Sequence, residues 1–318
     1  MLGQRIATAI VLLIVLGLAM SLATPWPFLA LLALATGCAA WEWLRLTLPS
    51  SATRSGGAAA GVSAGASGAS VASGTSSAPV ASASSSGPVL GGVLLALICL
   101  ALAVLWLQTP TAEASLRSLG IVFRGVVPLA VLLWIVVAIP AVVRGRADVA
   151  PGSIGLSLFA VPALLAAWAV LAILFVQRGP WFVLSLLAVV WVADIAAYFA
   201  GRAFGRHKLA PRVSPGKTWE GALAGVAAVV LWIAISSLWA PTFGAALVAR
   251  WGWGGALPLA AVLAGLSIIG DLFESLLKRR AGRKDSSALL PGHGGVYDRI
   301  DAVLPVAPLA FILIGVGF

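Results

Sequence analysis

Nine apolar stretches, each about as long as a bilayer is thick, dominate this 318-residue sequence. A helix needs about 20 mostly apolar residues to cross the hydrocarbon core. Such runs fall at approximately 6–23, 25–44, 88–107, 121–143, 153–177, 181–200, 219–240, 255–277 and 302–318. Composition closes off the alternatives: 61% of residues are hydrophobic, 9% are charged and mean hydropathy is +1.08. An ordinary soluble domain is about 25% charged and has too little interior to hide this much apolar surface. Soluble enzyme, disordered chain and coiled coil are excluded. The expected fold is an all-α integral membrane protein of about nine transmembrane helices.

Basic residues set the orientation. The net charge is +10, from 20 Lys and Arg against 10 Asp and Glu. In a membrane protein the placement of these charges matters more than their sum, so nucleic acid is not the expected partner. With a cytoplasmic N-terminus, sixteen basic residues lie inside and four (Arg117, Arg124, Arg178, Arg250) outside. That asymmetry obeys the positive-inside rule and puts the C-terminus outside. Trp26, Trp41, Trp43, Trp106, Trp181, Trp219, Trp239, Trp251 and Trp253 fall near span ends, where indole favours the headgroup level. Span 1 also admits a cleaved signal peptide ending at Ser21-Leu22-Ala23. Against that, span 2 follows almost at once and leaves no exported domain to release.

The chain divides into four parts. Residues 1–50 form a two-helix membrane segment and 88–180 carry helices 3–5. Residues 181–318 hold helices 6–9 with two basic cytoplasmic loops, and are the expected catalytic membrane domain. Between the first two, residues 51–87 are almost wholly Ala, Gly and Ser, the composition of a flexible linker. Cys38 and Cys99 lie in apolar runs and read as reduced, buried thiols.

Acidic residues are scarce enough for their positions to inform. Glu42, Glu113 and Asp148 sit at span ends or in loops and read as solvated. The other seven, Asp194, Glu220, Asp271, Glu274, Asp285, Asp298 and Asp301, lie in or beside loops 201–218 and 278–301. Asp194 and Asp271 each fall about seven residues inside a helix end, roughly 10 Å deep at 1.5 Å per residue. A carboxylate at that depth needs a partner, water or a metal. Either the two share a wet cavity, or each is neutralised by a Lys or Arg from the loops.

Asp271, Glu274, Ser275 and Lys278 follow an i, i+3, i+4, i+7 pattern and share one helix face. Its acidic end suits a divalent cation and its Lys end a phosphate. Oxygen ligands without a His or Cys cluster favour Mg²⁺ over zinc. Asp298 and Asp301 are i, i+3 and face one metal if helical. Around His293, Gly292, Gly294 and Gly295 let backbone N–H groups approach a ligand, and the neighbouring basic residues make an anion site. Ser214-Pro-Gly-Lys217-Thr218 ends like a P-loop, but its upstream glycine is missing and no strand precedes it. A phosphate-binding turn leading into span 7 remains, using Lys217 and the free N–H groups of the helix start. His207 reads as a solvated loop residue.

The run Ser275-x-Leu277-Lys278-Arg279-x4-Lys284-Asp285-x-Ser287-x2-Leu290-Pro291-x-His293-Gly294-Gly295-Val296-x-Asp298-Arg299-Ile300-Asp301 closely resembles the signature of phosphatidate cytidylyltransferases, also called CDP-diacylglycerol synthases. The stretch from Asp194 through Tyr198, Gly201-Arg202, Phe204-Gly205, Lys208, Ser214-Pro215, Lys217-Thr218 and Glu220-Gly221 is similar to that family's second characteristic region. Together they cover about residues 190–301, and the N-terminal half resembles the family in hydropathy alone.

The resemblance implies an enzyme that joins CTP and phosphatidic acid to give CDP-diacylglycerol and pyrophosphate. It further implies a homodimer in the bilayer with a polar site at the cytoplasmic face, in a bacterial cytoplasmic (inner) membrane. The family's metal-binding acids map onto Asp271 and Asp298, with Asp194 and Asp301 as further metal candidates and a second metal ion possible beside Mg²⁺. Lys278 and Asp285 join them as catalytic candidates. Ser214, Lys217, Ser275, Arg279, Lys284, His293, Gly294, Gly295 and Arg299 are the substrate-binding candidates. A related cytidylyltransferase or kinase acting on an isoprenoid lipid is the nearest alternative, and a membrane transporter the leading non-enzyme class. The longer acidic pattern of CDP-alcohol phosphotransferases is absent.

Overall fold

A computed structural model describes residues 2–48 and 86–315, with side chains from residue 7 onward. Most of the expected linker, through residue 85, lies outside the described residues. Ten helices follow in order: α1 (Leu2–Ser21), α2 (Trp26–Thr47), α3 (Ser86–Gln108), α4 (Glu113–Arg144), α5 (Ile154–Arg178), α6 (Pro180–Phe204), α7 (Trp219–Ser236), α8 (Phe243–Arg280), α9 (Tyr297–Ile300) and α10 (Val303–Ile314). Each of the nine apolar stretches coincides with a helix over most of its described residues. Among the described residues seven, α2 to α8, are long and apolar enough to cross a membrane. The apolar part of α1, Ala7–Ser21, and the 12-residue α10 are shorter.

Two helices depart from regular geometry where proline or glycine requires it. In α4, π-helical turns at Val122–Val126 and Trp134–Ala138 come just before Pro128 and Pro140. Proline has no N–H and its ring crowds the carbonyl four residues back, and a wider turn relieves that clash. In α8 the chain breaks at Gly252 (φ 61°, ψ 177°), leaving a long arm, residues 253–280, that carries the acidic face.

The loop between α6 and α7 contains a feature the all-α reading missed. Residues β1 (Lys208–Ala210) and β2 (Ser214–Thr218) pair as an antiparallel ribbon with Lys208 opposite Thr218 and Ala210 opposite Ser214. Thr218 then caps α7, its hydroxyl accepting from Gly221 N at 3.2 Å. α7 crosses α6 very closely. A Cβ on Gly221 would lie 2.7 Å from Ala197 O, and one on Gly225 2.9 Å from Ala193 O. Small residues four apart let backbones meet in this way, and the crossing carries the ribbon to the end of α8.

The interior contains an aromatic cluster of Trp43, Trp134, Phe159, Phe273 and Tyr297, all buried. Trp43 stacks on Tyr297 with ring centroids 5.0 Å apart and donates from Nε1 to Leu156 O at 3.0 Å. This corrects the reading of Trp43 as a headgroup-level indole: it is fully buried, because its polar N–H finds a carbonyl inside the protein. Trp106 is buried likewise, its N–H donating to Ser118 Oγ. Trp181, Trp219, Trp239, Trp251 and Trp253 are exposed. Cys38 and Cys99 are free thiols, Cys99 buried and Cys38 partly so.

Contacts gather the polar segments at one end of the helices. Thr8 Oγ1 donates to Pro291 O, Gly152 N to Thr47 O, Arg280 Nε to Arg146 O and Arg279 Nε to Val213 O.

Candidate active site

At that end α6, α7, α8, the ribbon and the loop around α9 enclose a cavity of about 650 Å³. Asp194, Lys217, Asp271, Glu274, Lys278, Asp285, Asp298, Arg299 and Asp301 all line it, with Ser214 and Tyr198. Ala193, Ala197, Ala222 and Ile268 form an apolar wall. A second cavity of about 600 Å³ adjoins it, lined by Lys284, Ser287, Pro291, His293 and Gly294. Asp285 and Arg299 belong to both, so the two spaces share a boundary.

The acids sort into two groups. In the first, carboxylate oxygens of Asp271, Glu274 and Asp301 all lie within 4.8 Å of one another. Asp271 pairs with Lys217 Nζ at 2.5 Å, joining the ribbon to α8, and accepts a long bond from Ser275 Oγ at 3.4 Å. Asp301 accepts from Ala302 N at 2.8 Å. Burial, then the nearby Asp271 charge, holds its carboxyl well above the usual carboxylate range. Glu274 is 1% exposed: Oε2 meets Lys278 Nζ at 2.6 Å, while Oε1 is buried without a hydrogen-bond partner. Three crowded carboxylates with an orphaned oxygen fit a hard cation, since like charges this close otherwise repel.

The second group is Asp298 and Glu42. Asp298 Oδ1 meets Lys278 Nζ at 2.6 Å, and Oδ2 accepts from Ser286 Oγ at 2.7 Å, Gly295 N at 2.8 Å and Ser286 N at 3.0 Å. Burial alone would raise this carboxyl. Hydrogen bonds from Lys278, Ser286 and the Gly295 N–H overcome that and hold it well below the usual range. Glu42 is completely buried. It accepts from Ser287 Oγ at 2.5 Å, Tyr297 N at 2.6 Å and Val296 N at 3.1 Å, and Ser286 Oγ lies 3.1 Å away with its one proton shared between Glu42 and the nearer Asp298. The reading of Glu42 as a solvated span-end acid is therefore wrong. Its short distance from the helix end made it look exposed, but the 286–297 loop folds over it.

Several expected site residues play other parts. Asp298 lines the same cavity as Asp271, outside the cluster of Asp271, Glu274 and Asp301, and its oxygens meet Lys278 and donors of its own loop. Arg279 reaches neither cavity, because its Nε donates to Val213 O and so fastens the ribbon turn. Ser275 faces Asp271. Gly294 (φ 83°) and Gly295 bring backbone close to side chains of the protein itself. A Cβ on Gly294 would lie 2.9 Å from Asp298 Oδ2, and one on Gly295 would collide with Ser286 Oγ and lie 2.6 Å from both Glu42 oxygens. Arg299 donates to His293 O from Nε and Nη2, closing the His293 turn. His207 is exposed and its Nδ1 lies 2.7 Å from Glu220 Oε1.

Among the described residues seven span-length apolar helices, three of them lining an acid- and base-lined cavity, define a multi-pass membrane protein with a charged pocket beside its apolar helices. The chain belongs to the cytidylyltransferase family, whose family model matches residues 3–316. Among curated proteins it is similar to the phosphatidate cytidylyltransferase of Brucella suis biovar 1, 51% identical over 132 residues, which is 41% of this chain and 45% of that relative. It is also similar to that of Pseudomonas aeruginosa, 45% identical over 149 residues (46% and 52% of the two chains), and that of Mycobacterium leprae, 39% identical over 160 residues (47% of each). The matches span about half the length of these relatives.

Proposed function

We propose that the protein transfers a cytidylyl group from CTP to phosphatidic acid, giving CDP-diacylglycerol and pyrophosphate. The observation that carries this reading is one cavity in which the acids of α8 and Asp301 face basic side chains from four elements beside an apolar wall, in a chain similar to phosphatidate cytidylyltransferases. A lipid with a charged head requires that combination. A phosphate oxygen of phosphatidic acid attacks the α-phosphorus of CTP. A P–O–P bond forms there as the α–β anhydride bond breaks, and the electron pair leaves on pyrophosphate. The nucleophile is already anionic at neutral pH, so no strong general base is needed.

The obstacle is bringing two polyanions together, which makes positioning and charge neutralisation the main tasks of the protein. Lys278 and Lys217 stand beside the acids, while Arg299 and Lys284 line the approach from the adjoining cavity. Arg299 suits bidentate phosphate contact and the lysines act as point charges. Ser214 on the ribbon supplies a hydroxyl to the same cavity, and Asp285 adds a carboxylate at the shared boundary. Asp271, Glu274 and Asp301 would hold Mg²⁺, with Asp194 facing the same space. A bound divalent cation supplies Lewis-acid stabilisation of the charge developing on the phosphates.

The sixteen-to-four basic asymmetry supports a cytoplasmic N-terminus and a site open to the cytoplasm, where CTP is found. A bacterial inner membrane and a homodimer complete the reading. Detergent-solubilised protein given labelled CTP, phosphatidic acid and Mg²⁺ is expected to form a lipid-extractable CDP product that disappears with EDTA. Well-folded protein that makes no product with this acceptor overturns the reading.

A further inference from the structure

We propose that Glu42, on α2, is the residue that holds the 286–297 loop in its site-forming arrangement and so positions Asp298 in the cavity. It is the one acid in the sequence before Glu113, and it lies far in sequence from both signature regions. The side chain is completely buried, and no salt bridge reaches it among the described residues. A buried carboxylate persists only where donors meet its lone pairs. Its donors all come from one loop: the Ser287 hydroxyl, the backbone N–H groups of Val296 and Tyr297, and the Ser286 hydroxyl, whose one proton it shares with the nearer Asp298. Any other course of that loop would strand the charge, so the carboxylate selects this one.

The selection passes to the cavity through a single hydroxyl. Ser286 Oγ lies 3.1 Å from Glu42 Oε2 and 2.7 Å from Asp298 Oδ2. Asp298 in turn meets Lys278, which meets Glu274. A chain of polar contacts thus runs from α2 to the acidic face of α8. Gly295 fits the same account, since any side chain there would occupy the space between Ser286 and the Glu42 carboxylate. Next to Glu42, Trp43 stacks on Tyr297, so α2 grips the loop by an apolar and a polar contact together. Glu42 meets no cavity-lining acid directly; its part is positioning.

The link to catalysis rests on the proposed transfer reaction, and the test separates the two. Glu42→Gln is nearly isosteric but presents an NH₂ to donors, and Glu42→Asp keeps the charge with one methylene fewer. Hydrogen–deuterium exchange over 286–297 is expected to be about tenfold faster in Glu42→Gln, the equivalent of one lost charge-assisted bond. The rate kcat should fall about a hundredfold, as for a small misplacement of a reacting geometry. KM for the lipid should stay within about twofold because that wall is built by α6, α7 and α8 and not by the 286–297 loop. Glu42→Asp should recover part of both losses. Unchanged exchange and unchanged kcat in Glu42→Gln overturn the proposal. So does a drop in melting temperature with kcat per folded molecule unaltered, which would mean a merely structural acid. If the wild type makes no CDP-lipid, the transfer reading fails, and exchange alone decides whether Glu42 holds the loop.

Discussion

Two sets of carboxylates meet through Lys278 at one end of the molecule, and they are treated in opposite ways. Asp298 and Glu42 have their oxygens filled by donors, from Lys278, Ser286, Ser287, Gly295, Val296 and Tyr297. Asp271, Glu274 and Asp301 crowd one another, and Glu274 Oε1 has no partner. A filled carboxylate is a structural tie, because its lone pairs are committed. An under-filled cluster is costly alone and is relieved by a cation or a bound ligand. The contrast separates the residues that build the site from those that await something in it, although signature position alone groups Asp271 with Asp298.

The comparison is easiest to break at the under-filled set. Asp271→Asn is expected to lower transfer activity about a thousandfold, the scale of losing a preorganised electrostatic contact, with a melting profile close to wild type. Added Mg²⁺ should raise the wild-type melting temperature, by the equivalent of about 2.7 kcal/mol at a hundredfold excess over Kd. That rise should vanish in Asp271→Asn. A full shift in the variant would show that the cation binds elsewhere.

Lys278 belongs to both sets, so Lys278→Met probes their junction. It leaves Glu274 and Asp298 without their shared cation, and breaking such a buried pair costs about 3 kcal/mol. Thermal melting in detergent should show the loss together with reduced activity. A variant as stable as wild type would mean the two carboxylates share a proton instead.

At the filled set the expected effect is smallest. Ser287→Ala removes one hydroxyl donor to Glu42 and should cost about 1 kcal/mol, read as a small fall in melting temperature. Activity should remain within about threefold of wild type, because Ser286 and the two backbone N–H groups still hold the loop. A loss as large as that of Asp271→Asn would erase the distinction between the two sets.

Much of the site was legible because its signals are local. The i, i+3, i+7 spacing put Asp271, Glu274 and Lys278 on one helix face, and the structure keeps them there beside one cavity. Hydropathy located each apolar helix. Glu42 was not legible, because an acid two residues before the end of an apolar run looks the same whether water or a loop covers it. A signal did exist: Gly294-Gly295 sits beside Asp298, and such a pair is a sign of close backbone approach. The approaching group, however, comes from 250 residues away, and spacing cannot identify it. The β1–β2 ribbon escaped for a related reason, being two short polar strands whose pairing is decided by the α6–α7 crossing.

By itself the sequence determined the membrane environment, the helical segments and which charges share a helix face. Each of these depends on hydrophobic transfer or on the helical repeat, both read from neighbouring residues. Only the tertiary structure decided which carboxylates are filled and which are left open. Satisfaction of a buried charge depends on donors brought from elsewhere in the chain, and here α2 and the loop before α9 supply one another across the fold.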